Sequence, residues 1–180
     1  TGKSTSLRNL NSEETFIIQV IDKQLPFPGN KKIYSKFNGS EGNLIVTDKA
    51  PDIIKIMQYV SNKRPDIKVL IIDDAQYIMS NEFMRRNKET GFQKFNDIAY
   101  NTWSMLNIAR ELRDDLYVVY ITHDDDYIDE DGNVFRKMKT IGKAIDKYTN
   151  LEGLFTVVFF TKVSVDNEDK LDYSFETNSS

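Results

Sequence analysis

An α/β fold, with a mostly parallel sheet and helices on both faces, is predicted by three features of this sequence. The largely apolar run Thr15 to Val20 and the continuous one Val69 to Ile72 are typical of strands buried on both sides. Between them lie segments whose apolar residues recur three and four positions apart, the spacing of a helix that buries one face. The two patterns alternate along the chain, which favours parallel strands joined by helical crossovers.

Taken in order, Ser4 to Leu10 is compatible with a short helix, and β-branched and aromatic residues make Thr15 to Val20 a buried strand. "KQLPFPGNKK" carries two prolines and a glycine, which predict a loop without regular structure. Asn43 to Val46 reads as a short strand. Thr47 or Asp48 is placed to cap a helix with Pro51 in its first turn and Ile53, Ile56, Met57 and Val60 on one face. "IKVLIIDDAQYI" holds the sharpest strand, Ile67 and then Val69 to Ile72, and it ends abruptly in Asp73 and Asp74.

Ser80 to Gly91 reads as a polar connection to a long helix, Phe92 to Leu112, in which Phe95, Ala99, Trp103, Leu106, Ala109 and Leu112 share a face. Leu116 to Thr122 is expected as a buried strand, and "YIDEDGNVF" as a hairpin around Asp131 and Gly132. Leu154 to Thr161 reads as another buried strand, with Lys170 to Thr177 as the last. Trp103 and the tyrosines are assigned to the core.

Length and composition bound the function. A chain of 180 residues, 39% hydrophobic and 29% charged, suits one folded domain over 1–180. Its longest largely apolar run, Leu154 to Phe160, is far below the roughly 20 residues that cross a bilayer, so a soluble protein is expected. The absence of cysteine excludes disulfides and thiolate metal sites and suits a reducing cytosol. A single histidine, His123, excludes a multi-histidine metal centre. The net charge of −4 leaves nucleic-acid binding to a local patch, and Arg136, Lys137 and Lys139, followed by Lys143 and Lys147, form the densest basic segment.

The chain opens with "TGKST", in which Gly2, Lys3 and Ser4 match the end of the phosphate-loop pattern G-x-x-x-x-G-K-[ST]. That chemistry needs a glycine where backbone meets phosphate, a lysine for the β and γ oxygens, and a hydroxyl on Mg²⁺. Thr1 and Thr5 flank these groups as further nucleotide contacts. The first half of the loop and its strand are expected to be missing. Asp73, at the carboxyl edge of its strand, would hold the Mg²⁺ shell through water with Ser4. Asp74 would orient or deprotonate the attacking water; Asp22, just after the first strand, is the competing base.

Thr122 and His123 end the next strand, where a polar group can sense the γ-phosphate. Asp124 to Asp126 repel one another and are expected in a solvated loop. Lys139 and Lys143 are candidates for a cation that reaches a neighbouring subunit's nucleotide.

These segments together resemble the phage-encoded RecA-like ATPases, proteins linked to DNA recombination and single-strand annealing. The resemblance rests on "TGKST", "LPFPG", "LIIDDAQYI", "YITHDD", "KTIGKAIDKYTNLEGLFTVVFFT" and "YSFETN", and covers nearly the whole chain. It implies a three-layer P-loop NTPase fold lacking the N-terminal strand. It also implies ATP and Mg²⁺ at residues 2–5 with Asp73, and homo-oligomers on or near single-stranded DNA in the host cytoplasm. "IDDAQYI" is similar as well to the acidic segment of thymidine kinases, although the zinc lobe common in those enzymes needs cysteines that this chain lacks. A degenerate module that binds ATP without turnover is a third reading.

Overall fold

A computed structural model describes residues 2–128, 131–141, 150–165 and 170–177. Strands β1 (Thr15–Gln19), β2 (Leu44–Val46), β3 (Val69–Asp73) and β4 (Tyr117–Tyr120) form an all-parallel sheet in the order β2-β1-β3-β4. The register sets Gln19 beside Asp73 and Ile72 beside Tyr120, so the carboxyl ends of β1, β3 and β4 lie level with one another. Two antiparallel hairpins stand apart from this sheet. One pairs β5 (Asp124–Ile128) with β6 (Val134–Met138), the other β7 (Phe160–Val165) with β8 (Leu171–Glu176).

The helices are α1 (Asn30–Ile33), α2 (Ala50–Lys63), α3 (Tyr77–Arg85) and α4 (Gln93–Asn107), with 3-10 turns at Ser4–Asn9, Ile108–Glu111 and Glu152–Leu154. Because strand side chains alternate, Phe16, Ile18, Leu70 and Ile72 face one way, into a core with Ile53 and Met57 of α2, Ile78 of α3 and Met105 of α4. Ile17 and Ile71 face the other way, against Leu7, Leu25, Phe27 and Tyr34. Burying each such side chain contributes about 1.5–3 kcal/mol. The second face is thus covered by the N-terminal 3-10 turn and the loop after β1, and the long helices share the first.

Several local expectations are corrected. The stretch after β1 is not wholly irregular, since Asn30–Ile33 forms one helical turn behind Gly29. Neither Thr47 nor Asp48 caps α2. Lys49 occupies the cap position, while Asp48 accepts from Asn81 at 2.8 Å and pairs with Arg85 at 2.5 Å, tying the entry of α2 to α3. The polar stretch from Ser80 hides most of α3, whose buried Ile78 and Met79 precede it. In α4 the buried residues are Ile98, Thr102, Met105 and Leu106, so the face is rotated from the expected one. Trp103 is 38% and Tyr100 66% exposed, stacked on each other outside the core.

Towards the carboxyl terminus the differences grow. β4 is not fully buried: Tyr117 and Val119, which share one face of the strand, are exposed, and β4 is an edge strand among the described residues. Asp124 to Asp126 lie in β5, not in a loop, and Asp125 is paired with Lys139. The expected buried strand Leu154 to Thr161 does not form as such. Leu154 closes a 3-10 turn, Val157 and Phe159 are exposed, and β7 begins only at Phe160. The hairpin around Asp131 and Gly132 and the last strand both form. Among the described residues no helix is long and apolar enough to cross a membrane.

Candidate functional site

Gly2 has a φ of 68°, in the left-handed region that glycine adopts without strain. An added Cβ there would come within 3.2 Å of the Tyr173 ring of β8. Lys3 follows at the N-cap of the first 3-10 turn, and Ser4 is its first residue. The Ser4 hydroxyl donates to Asp73 Oδ1 at 2.9 Å, bringing together residues 69 apart in sequence. Thr5 is partly buried in the same turn, and Thr1 lies outside the described residues.

Asp73 is 1% exposed at the end of β3. Burial pushes its carboxyl above the ordinary range, Ser4's hydrogen bond opposes that rise, and the neighbouring Asp74 charge adds to it. Its second oxygen, Oδ2, is buried without a hydrogen-bond partner among the described residues. A buried carboxylate oxygen left over beside a serine hydroxyl fits one flank of a hydrated Mg²⁺, which typically takes one or two carboxylates and completes its shell with phosphates and water. Among the described residues no cluster of three or more His, Asp or Glu side chains could hold a metal alone.

Asp74 turns the chain from β3 into α3. Its φ of 63° is left-handed, which a short polar residue tolerates better than most. Its carbonyl accepts from Tyr77 N–H at 3.0 Å, and Ala75 N–H donates to Ile121 O at 2.8 Å, so the turn is tied to the chain leaving β4. The Asp74 carboxylate is nearly buried and forms an ion pair with Lys23 from the loop after β1. Partial burial works to lower the Lys23 pKa, but the Asp74 hydrogen bond and the Asp74 and Asp73 charges outweigh it, so the net shift is upward. Asp22, the competing base, is exposed on the same loop.

Thr122 and His123 reach the same edge of the sheet. Their hydrogen bonds run elsewhere than to Ser4 or Asp73: Thr122 Oγ1 donates to His123 O at 3.2 Å, and His123 N–H donates to Gln76 Oε1 at 3.2 Å. The His123 ring lies edge-on to Tyr77, 6.3 Å between centroids. Lys139 N–H donates to His123 O at 2.8 Å, and its ammonium pairs with Asp125 at 3.1 Å. Arg136 pairs with Glu176 at 3.3 Å, so carboxylates offset these two cations of the basic segment. Lys143 falls outside the described residues.

The carboxyl edge brings Ser4 to Asp73, with Asp74 and His123 nearby, and adds two residues that sequence reasoning passed over. Lys23 carried only the signal of following a buried strand. Gln76 stood in plain view within "IDDAQYI", and its buried Nε2 has no hydrogen-bond partner among the described residues. No family model and no curated protein matches the sequence.

Proposed function

We propose that the chain is an ATP-binding and ATP-hydrolysing domain of the P-loop, RecA-like type, acting on phage DNA in recombination, annealing or replication. The observation that carries this reading is the Ser4–Asp73 hydrogen bond, with the unpartnered Asp73 Oδ2 beside it. It joins the end of a phosphate loop to an acid at the carboxyl edge of a parallel sheet, where ligands bind open α/β folds.

In this reading Gly2 lets the backbone approach the phosphates, Lys3 neutralises the β and γ oxygens, and Thr1 and Thr5 flank them. Ser4 and, through water, Asp73 would hold Mg²⁺, which when bound would offset the charge that develops on the transferring phosphoryl group. Asp74 orients the attacking water and accepts its proton. Thr122 and His123 would register the γ-phosphate as hydrogen-bond donors at the strand end. Among the described residues β4 is an edge strand, and the parallel strand that such a loop requires would pair there. Assembly on single-stranded DNA, with Lys139 or Lys143 reaching a neighbour's nucleotide, extends the same reading.

The test is phosphate release by the intact protein, with and without single-stranded DNA, beside an assay with thymidine as acceptor. Release that rises with DNA and disappears in Lys3→Ala is expected. Phosphorylated thymidine would instead indicate a nucleoside kinase, and ATP binding without either product a degenerate module. Full turnover by Lys3→Ala would sink the proposal.

A further inference from the structure

We infer that Lys23 is a positioning residue for Asp74, fixing the orientation from which that carboxylate meets the attacking water. The inference rests on the ATPase reading and names a residue that the phosphate-loop pattern does not contain. Lys23 is held from both ends. Its carbonyl accepts from Gln19 Nε2 at 3.0 Å, and its ammonium pairs with the Asp74 carboxylate. Gln19 is itself 3% exposed and stands beside Asp73 in the β1–β3 register, and Val20 N–H donates to Asp73 O at 3.1 Å.

The loop that carries Lys23 is thus anchored to the strand end that carries the acids. Asp74 needs such an anchor. Its backbone is held in the left-handed region, and a nearly buried carboxylate beside another acid is costly without a cation. The acidic and phenolic groups that act on the Lys23 ammonium are Asp74, Asp73 of β3 and Tyr77 of α3, whose ring also meets His123. Lys23 supplies the ion pair that Asp74 makes among the described residues.

The experiment compares wild type, Lys23→Met, Lys23→Arg and Asp74→Asn in the intact protein. Lys23→Met should lower kcat for MgATP about tenfold or more, as expected for a displaced base, with KM within about twofold. Lys23→Arg should keep kcat within about threefold of wild type, and Lys23→Met should add little to Asp74→Asn, since the two act through one group. Without nucleotide, amide exchange at Ala75, Gln76 and Tyr77 should quicken about tenfold in Lys23→Met. An unchanged kcat, or a raised KM at constant kcat, would overturn the inference, the second because Lys23 would then touch the nucleotide itself. If wild type hydrolyses no ATP, the ATPase reading fails separately. Exchange at the turn then decides whether Lys23 holds Asp74, and an unchanged rate overturns it.

Discussion

Ser4 Oγ and Asp73 Oδ1 meet at 2.9 Å, a contact between the first turn of the chain and the end of its central acidic strand. It satisfies only one oxygen of a carboxylate that is 1% exposed. In Ser4→Ala Oδ1 loses its hydroxyl donor, and the proposed Mg²⁺ site would lose the serine hydroxyl. The expected result is MgATP binding weakened about tenfold or more, with metal-free ATP binding changed far less. Calorimetric titrations with and without a chelator measure the difference; equal losses in both would separate Ser4 from the metal.

Ile72 lies one residue before that acid and is fully buried against the helical layer. Truncation to Ala leaves a cavity in a face that α2 and α4 cannot both follow inward. Ile72→Ala should therefore cost about 2–5 kcal/mol in urea unfolding, with the slope of the transition preserved. A loss below about 1 kcal/mol would mean that the core is less tightly packed there than the structure shows.

Arg86, at the end of α3, pairs with Asp97 of α4 at 2.7 Å and with Glu89 at 2.7 Å. Its hydrogen bonds hold both carboxyls below the ordinary carboxylate range. Groups whose folded pKa is depressed contribute stability that is present above their unfolded values of about 4 and is lost as pH falls through the folded values. Melting Arg86→Met beside wild type should show a deficit at about pH 7 that shrinks progressively as pH falls below about 4. A deficit that persists in acid would assign the role of Arg86 to packing of its aliphatic stem.

Much of the sheet was legible because β1 and β3 are buried on both faces, and continuous apolar runs report that directly. The acids at its carboxyl edge were legible for the same reason, since Asp73 and Asp74 interrupt such a run. α3 was missed because its buried face is short, Ile78 and Met79, and is followed by polar residues that satisfy Arg86 and Asp48 instead of water. Leu154 to Phe159 misled in the opposite direction. Its residues are apolar enough for a buried strand, but burial requires a neighbouring strand, and sequence composition does not say whether one is present. Lys23 escaped notice because an ion pair between two loops leaves no periodic trace.

Gly42 offers a test of the approach to β2. Its φ is 93°, and an added Cβ would lie 2.4 Å from Lys36 O and 2.8 Å from Phe37 Cα, backbone atoms that cannot swing aside. Its own carbonyl accepts from Arg64 at 2.9 Å, which fixes it against the end of α2. Phe37, next to the clash, packs edge-on to Phe16 of β1, so a shift there would reach the core. Gly39, with a φ of 107° and no atom near a built Cβ, is the control, because Gly39→Ala carries the backbone strain alone. Strain of this kind costs about 1–3 kcal/mol, and Gly42→Ala should lose clearly more than Gly39→Ala by chemical denaturation. Equal losses would show that the loop from Lys36 to Gly42 yields, and that the Phe37 contact does not hold it in place.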